Sequence, residues 1–186
     1  MNRGITATAE ALRTIVLVLF FAFIIRAVIF QPFVVEGSSM VPTFHDHDYL
    51  IVNKFLYYFE SPKRGDVIVF RAPTARNTDY IKRVIGLPGD LVRIDNGQLF
   101  INGTKVEEAY VNQDSMANRS VQPTSLERFL NQNEYWVMGD NRNNSSDSRA
   151  WGPLQHSAII GKATITVFPI ADFGLVKTPS YSLGRS

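Results

Sequence analysis

A serine hydroxyl attacks a carbonyl only when a base takes its proton, so the informative residues are serines in exposed turns and bases able to reach them. One stretch offers the serine: Glu36 to Thr43, EGSSMVPT. Gly37, the adjacent Ser38 and Ser39, and Pro42 make a tight turn that holds a hydroxyl clear of the chain and lets backbone N–H groups converge on an anion. An ordinary surface loop has the same composition, so the turn needs a partner elsewhere.

Asp79 to Asp90, DYIKRVIGLPGD, offers a base. Lys82 and Arg83 stand mid-strand among Ile81, Val84 and Ile85, and alternation sends the two cations to opposite faces. Arginine keeps its proton in a protein, whereas a desolvated lysine shifts its pKa readily and serves as a general base. The competing expectation for Lys82 is the commoner fate of a strand lysine, exposure to solvent. His45, His47 and His156 are the other bases. Nothing marks any of them, and a Ser-His-Asp arrangement stays open at this level. His45-Asp46-His47-Asp48 puts two imidazoles on one face but brings no third ligand, so a solvated turn is expected rather than a metal site.

A third stretch, Met138 to Pro153, MGDNRNNSSDSRAWGP, carries more hydrogen-bonding groups than a connection needs. Asp140, Asn141, Arg142, Asn144, Ser145, Asp147 and Arg149 are able to lock one another into a rigid loop, with Asp147 and Arg149 as an ion pair. A solvated polar loop would read the same way.

The elements that must position these groups are short strands. Tyr49–Lys54, Asp66–Phe70, Asp79–Ile85, Leu91–Asp95, Gln98–Ile101, Tyr135–Met138 and Lys162–Phe168 have strand composition, and Asn96-Gly97 is a hairpin signal. Strands without intervening helices predict an antiparallel sheet or barrel. Residues 112–132 break the pattern as a polar excursion with a weakly helical Ser125–Leu130, and residues 178–186 read as a polar, poorly ordered tail.

Ahead of the strands, residues 12–30 are apolar apart from Arg13, Thr14 and Arg26. In a helix they would cover about 28 Å, close to the hydrocarbon thickness of a bilayer. With no polar face and no small-residue cleavage site, they read as an uncleaved transmembrane anchor. Arg3 and Arg13 against Glu10 bias residues 1–11 to the cytoplasm, leaving a domain at 31–177 outside. The fold class is therefore mostly β, an antiparallel or barrel-like catalytic domain on one N-terminal transmembrane helix. Nineteen Lys and Arg against seventeen Asp and Glu give a net charge of +2 without basic blocks, which argues against a nucleic-acid partner. The absence of cysteine removes thiol chemistry and disulfides.

Taken in order, the apolar segment, GSSMVPT, RGDVIVF (Arg64 to Phe70), YIKRVIGLPGD and GDNRNNSSDSR resemble the type I signal peptidases, the Ser-Lys membrane proteases of the S26 family. The resemblance runs from the anchor to Phe168. It implies Ser39 as nucleophile, Lys82 as general base, Ser145 as the hydroxyl that orients the lysine amine, and Asp147 with Arg149 as a structural ion pair. It implies no metal or organic cofactor. Its partners would be precursor proteins bearing signal peptides, the lipid bilayer and the secretion translocon, at the plasma membrane or an internal membrane such as the thylakoid, with the catalytic domain on the extracytoplasmic side. Gly37 departs from members that carry a serine there to help hold the oxyanion. If its φ suits other residues, Gly37→Ser would add a donor and raise kcat. The rival readings are a self-cleaving repressor relative, which would need a DNA-binding domain, and a membrane-anchored binding module with an inactive site.

Overall fold

A computed structural model of the chain describes residues 2–111, 125–179 and 181, and of residues 2–9 and 24–28 the backbone alone. Helix α1 (Asn2–Ile29) leads directly into β1 (Phe30–Val34), so Phe30 belongs to the sheet and not to the apolar helix expected over 12–30. Among the described residues no helix is long and apolar enough to cross a membrane. The described side chains of α1 are those of residues 10–23 and of Ile29.

Two antiparallel sheets make up the body. The larger runs β1, β2 (Tyr49–Asn53), β11 (Ile159–Phe168), β3 (Val67–Arg71), β4 (Asp79–Gly86), β9 (Glu134–Met138) and β10 (Leu154–Gln155), with β12 (Gly174–Leu175) also on β11. The smaller runs β7 (Thr104–Lys105), β6 (Gln98–Ile101), β5 (Leu91–Asp95) and β8 (Ser125–Phe129). At the β5–β6 hairpin both turn residues have positive φ, Asn96 at 49° and Gly97 at 73°, which is why Asn-Gly marked it. Asn102-Gly103 makes the β6–β7 turn in the same way, at 51° and 82°.

One segment departs from its expected form. Ser125–Phe129 is a strand and not a helical stretch, pairing with β5 from Leu91↔Phe129 to Asp95↔Ser125. The spacing of Leu126, Phe129 and Leu130 suits a helix, but the open edge of β5 supplies a full ladder, and tertiary pairing overrides local propensity. The rest of the polar excursion, residues 112–124, lies outside the described residues. The tail departs too: Thr178, Pro179 and Tyr181 pack over Gly65.

Strand β4 organises the core. Its side chains are buried without a break from Ile81 to Gly86, so alternation exposes neither Lys82 nor Arg83, which are only 4% and 1% accessible. The first core cluster joins Ile81 and Val69 to Met40 and Phe44, so the turn carrying Ser38 and Ser39 is pinned by the fully buried side chain that follows it. The second joins Ile85, Trp136 and Met138 to Val92, Ile94 and Leu99 of the smaller sheet. β4 pairs with β3 from Asp79 to Arg83 but with β9 only from Arg83 onward, so among the described residues Asp79–Lys82 keeps one strand edge unpaired. β1 is likewise an edge, bonded to β2 on one side. One register row runs Phe30, Asn53, Lys162, Ile68, Lys82, linking the first residue after α1 to the β4 lysine.

Candidate active site

The turn between β1 and β2 is fixed at both ends before it reaches the serines. Val35 N–H donates to Asp48 O at 2.9 Å and His47 N–H to Val35 O at 2.8 Å, while Phe44 N–H donates to Met40 O at 2.9 Å. The two serines then part company. Lys82 Nζ donates to Ser39 Oγ at 2.7 Å, whereas Ser38 Oγ takes a 2.7 Å bond from Asn144 Nδ2. Between β1 and the unpaired edge of β4 lies a cavity of about 470 Å³ that contains Ser39 and Lys82 and is bordered by Phe33, Val34, Asp79 and Tyr80.

Burial lowers the Lys82 pKa to about 8, against the opposing pull of the Asp147 and Asp140 carboxylates. A lysine held at that value is partly neutral near neutral pH and able to accept a proton. Its amine also donates to Ile81 O at 2.9 Å, so it is aimed at Ser39 from a fixed position. No histidine shares the site. His45 is exposed, His47 lies in solvent beside Asp46, and the His156 ring lies 5.9 Å from that of Tyr135 at a tilt of 41°.

Residues 139–149 form the rigid loop. Asp147 is fully buried and holds Gly139 N–H at 3.0 Å and Arg149 Nε and Nη2 at 2.8 Å each. Burial pushes its carboxyl up, but the hydrogen bonds and charge of Arg149 outweigh that and hold it below the usual range. Among the described residues the Ser145 hydroxyl is buried against Gly139 and has no hydrogen bond to Lys82, whose amine donates to Ser39 and to Ile81 O and lies 5.3 Å from the centre of the Tyr80 ring.

Several residues noticed in the sequence make contacts that the sequence did not show. Asn141 N–H donates to Ser39 O at 3.0 Å and Asn141 Nδ2 to Ser38 O at 3.1 Å, so this loop grips the serine turn directly. Arg83 donates to Asp140 through Nε at 2.9 Å and Nη2 at 2.6 Å, and Asp140 also accepts from the Thr43 hydroxyl at the far end of the turn. Their charges were visible, but the partners stand 57 and 97 residues apart.

Gly37 corrects an expectation. Its φ is +83°, a left-handed conformation that a side chain enters at a cost of roughly 1–2 kcal/mol, although nothing would obstruct an added Cβ. Its N–H donates to Asp46 Oδ1 at 2.7 Å, which holds that conformation. Gly37→Ser is therefore expected to lower kcat/KM by about tenfold, matching Gly37→Ala, because the strain sits in the turn itself. Kinetics of both variants on one peptide check this. A faster serine variant beside a neutral alanine variant would contradict it.

The comparisons with known proteins converge on one family. The family model described as signal peptidase, peptidase S26, matches residues 8–168. The chain belongs to that family. This signal peptidase is 38% identical over 180 residues to signal peptidase I of Leptolyngbya laminosa, covering 92% of this chain and 86% of the relative. It is 36% identical over 170 residues to signal peptidase I T of Bacillus subtilis (strain 168), covering 89% and 88%. As a member of the family the chain is a serine endopeptidase that removes signal peptides from precursor proteins.

Proposed function

We propose that this signal peptidase cuts with a Ser39–Lys82 dyad at the outer face of a membrane. The carrying observation is the 2.7 Å contact between Ser39 Oγ and a buried amine whose pKa is brought down to about 8. Neutral Lys82 takes the Ser39 proton as Oγ attacks the scissile carbonyl, then gives it to the leaving amine. The acyl-enzyme is hydrolysed by water with Lys82 again acting as base. Backbone N–H groups of the turn, that of Ser39 foremost, hold the oxyanion, since Gly37 brings no hydroxyl. Asp147 and Arg149 keep the supporting loop rigid. Ser145, a buried hydroxyl beside Gly139, orients the amine once it is charged, the role the resemblance implies.

The substrate would enter as an extended segment between the unpaired edges of β1 and β4, bonding to both as an added strand. With Phe30 counted in the sheet, residues 1–11, 12–29, 30–177 and 178–186 serve as cytoplasmic segment, anchor, extracytoplasmic catalytic domain and tail. Supporting the anchor, the apolar side chains of α1 from Leu12 to Phe23 are exposed, and Phe55, Tyr58 and Phe59 form an exposed aromatic turn next to Lys54, whose N–H bonds Ile29 O at 2.9 Å. The register row from Phe30 to Lys82 crosses four strand spacings, about 19 Å, which suits a cut made close to where α1 ends. Lipid and the secretion translocon are the partners this placement implies.

Full-length protein in detergent micelles is expected to cut a peptide carrying Ala-x-Ala once, after the second alanine. A peptide bound but left intact would favour the inactive binding module.

A further inference from the structure

One buried polar cluster takes no part in the chemistry proposed above. Glu108 and Tyr110 lie between β7 and the start of the polar excursion, and Tyr181 belongs to the tail; none falls in the stretches that first drew attention. The Glu108 carboxylate, 2% accessible, takes both terminal nitrogens of Arg142. Tyr110 Oη donates to Glu108 Oε1 at 2.6 Å, and Tyr181 Oη donates to Tyr110 Oη at 2.9 Å. The face of the Tyr110 ring meets the Arg83 guanidinium at 4.4 Å.

Arg142 passes this hold on to the serine turn. Its Nε donates to Gly139 O at 3.1 Å, and the same glycine's N–H is held by Asp147, so the Gly139 residue is clamped from both sides. It has no slack toward the site. A Cβ added to Gly139 would lie 2.3 Å from Ser145 Oγ and 2.5 Å from Ser39 O. An arginine released from its carboxylate would carry Gly139 with it, and with Gly139 the carbonyl of Ser39.

We propose that Glu108 is a positioning residue for the nucleophile turn, acting through Arg142 and the Gly139 peptide, with Tyr110 and the tail residue Tyr181 completing its hold. The inference rests on Ser39 being the nucleophile. Its effect is geometric: the Glu108 carboxylate is spent on Arg142 and Tyr110, while the carboxylates pulling on the Lys82 amine are foremost those of Asp147 and Asp140. Losing the hold should therefore misplace Ser39 without shifting the pH at which Lys82 becomes a base.

The test compares Glu108→Gln, Tyr110→Phe and Tyr181→Phe in the full-length enzyme in detergent, on one peptide. Glu108→Gln keeps the side-chain shape and is expected to lose about 10- to 100-fold in kcat, as a displaced nucleophile does. Tyr110→Phe keeps the ring under Arg83 and should lose less, and Tyr181→Phe least. KM should stay within about twofold, because the slot between β1 and β4 is untouched. The pH midpoint of kcat/KM should not move, and the kcat deficit should persist on cooling far below each melting temperature.

A folded Glu108→Gln enzyme with wild-type kcat, a loss confined to KM, or a deficit that disappears on cooling would each overturn the proposal. If Glu108→Gln fails to fold, Tyr110→Phe decides, and an unchanged kcat there overturns it equally. Ser39→Ala run alongside separates the two levels. Wild-type turnover in Ser39→Ala would remove the nucleophile assignment and this proposal together, whereas a silent Ser39→Ala beside a fully active Glu108→Gln would remove this proposal alone.

Discussion

Ser39→Ala is expected to lower kcat by at least about 10⁴-fold while leaving the melting temperature within a few degrees of wild type, as removal of a nucleophile does. The structural cost is modest because the hydroxyl's side-chain partner is the Lys82 amine, and a hydrogen bond from a charged donor contributes about 1.5 kcal/mol or somewhat more net. The turn keeps its other anchors: the buried Met40 side chain, the Asn141 N–H on Ser39 O and the Phe44 N–H on Met40 O. Ser38→Ala removes only the bond from Asn144, so it should cost several-fold at most. Cleavage rates and melting curves of the two purified variants make the comparison. Near-normal turnover in Ser39→Ala, or a larger loss in Ser38→Ala, would assign the nucleophile elsewhere.

Lys82→Met is expected to be as inactive as Ser39→Ala and yet more stable than wild type at pH 6 to 7. Folding takes the Lys82 amine from an ordinary pKa of 10.5 to about 8, mainly through burial. Such a shift corresponds to about 3 kcal/mol of stability withheld wherever the folded protein must carry the proton. The unfolded chain binds this proton more tightly, so the penalty is full below about pH 8 and lifts as pH rises toward 10.5. Methionine has a similar length and no charge to desolvate. The gain in Lys82→Met should approach but not reach the full penalty, because the bonds to Ser39 and Ile81 O are lost, and it should shrink above pH 8. Lys82→Arg keeps the charge but no longer supplies a base, and is expected to be inactive. Denaturant unfolding at pH 6.5 and pH 10 tests the stability half. A destabilised Lys82→Met at pH 6.5, or an active Lys82→Arg, would contradict this picture of a strained, desolvated base.

The sequence exposed the strands better than the contacts between them. Alternating apolar residues and the Asn96-Gly97 turn located β5 and β6 closely, because a half-buried sheet imposes a period of two on the chain, while β4, buried from Ile81 to Gly86, showed through the β-branched Ile81, Val84 and Ile85. β1 was hidden by the apolar run that precedes it, and β8 by a helix-like spacing that only the edge of β5 could override. Of the site, the residue types were legible and the distances were not. Lys82 and Ser39 lie 43 residues apart, and their pairing was available from the resemblance alone. Ser145 was linked to the lysine amine by the resemblance alone, and its buried position against Gly139 had no local signal. Asn141 and Arg142 were noticed as polar residues, but Glu108, 34 residues before Arg142, gave no sign of its role. The φ of Gly37 is set by the path of the turn and by Asp46, which no local reading supplies.

On the proposed mechanism Lys82 is a buried base that becomes neutral near pH 8 and draws the proton from Ser39. The most direct test is an NMR titration of the full-length enzyme in detergent with ε-¹³C-labelled lysines, run beside the pH dependence of kcat/KM. One lysine signal should titrate at about pH 8, should be missing from Lys82→Met, and should share its midpoint with the rising limb of activity. Lysines that all titrate near 10.5, with an activity limb that moves when His45, His47 or His156 is replaced, would contradict the account and point to a histidine base.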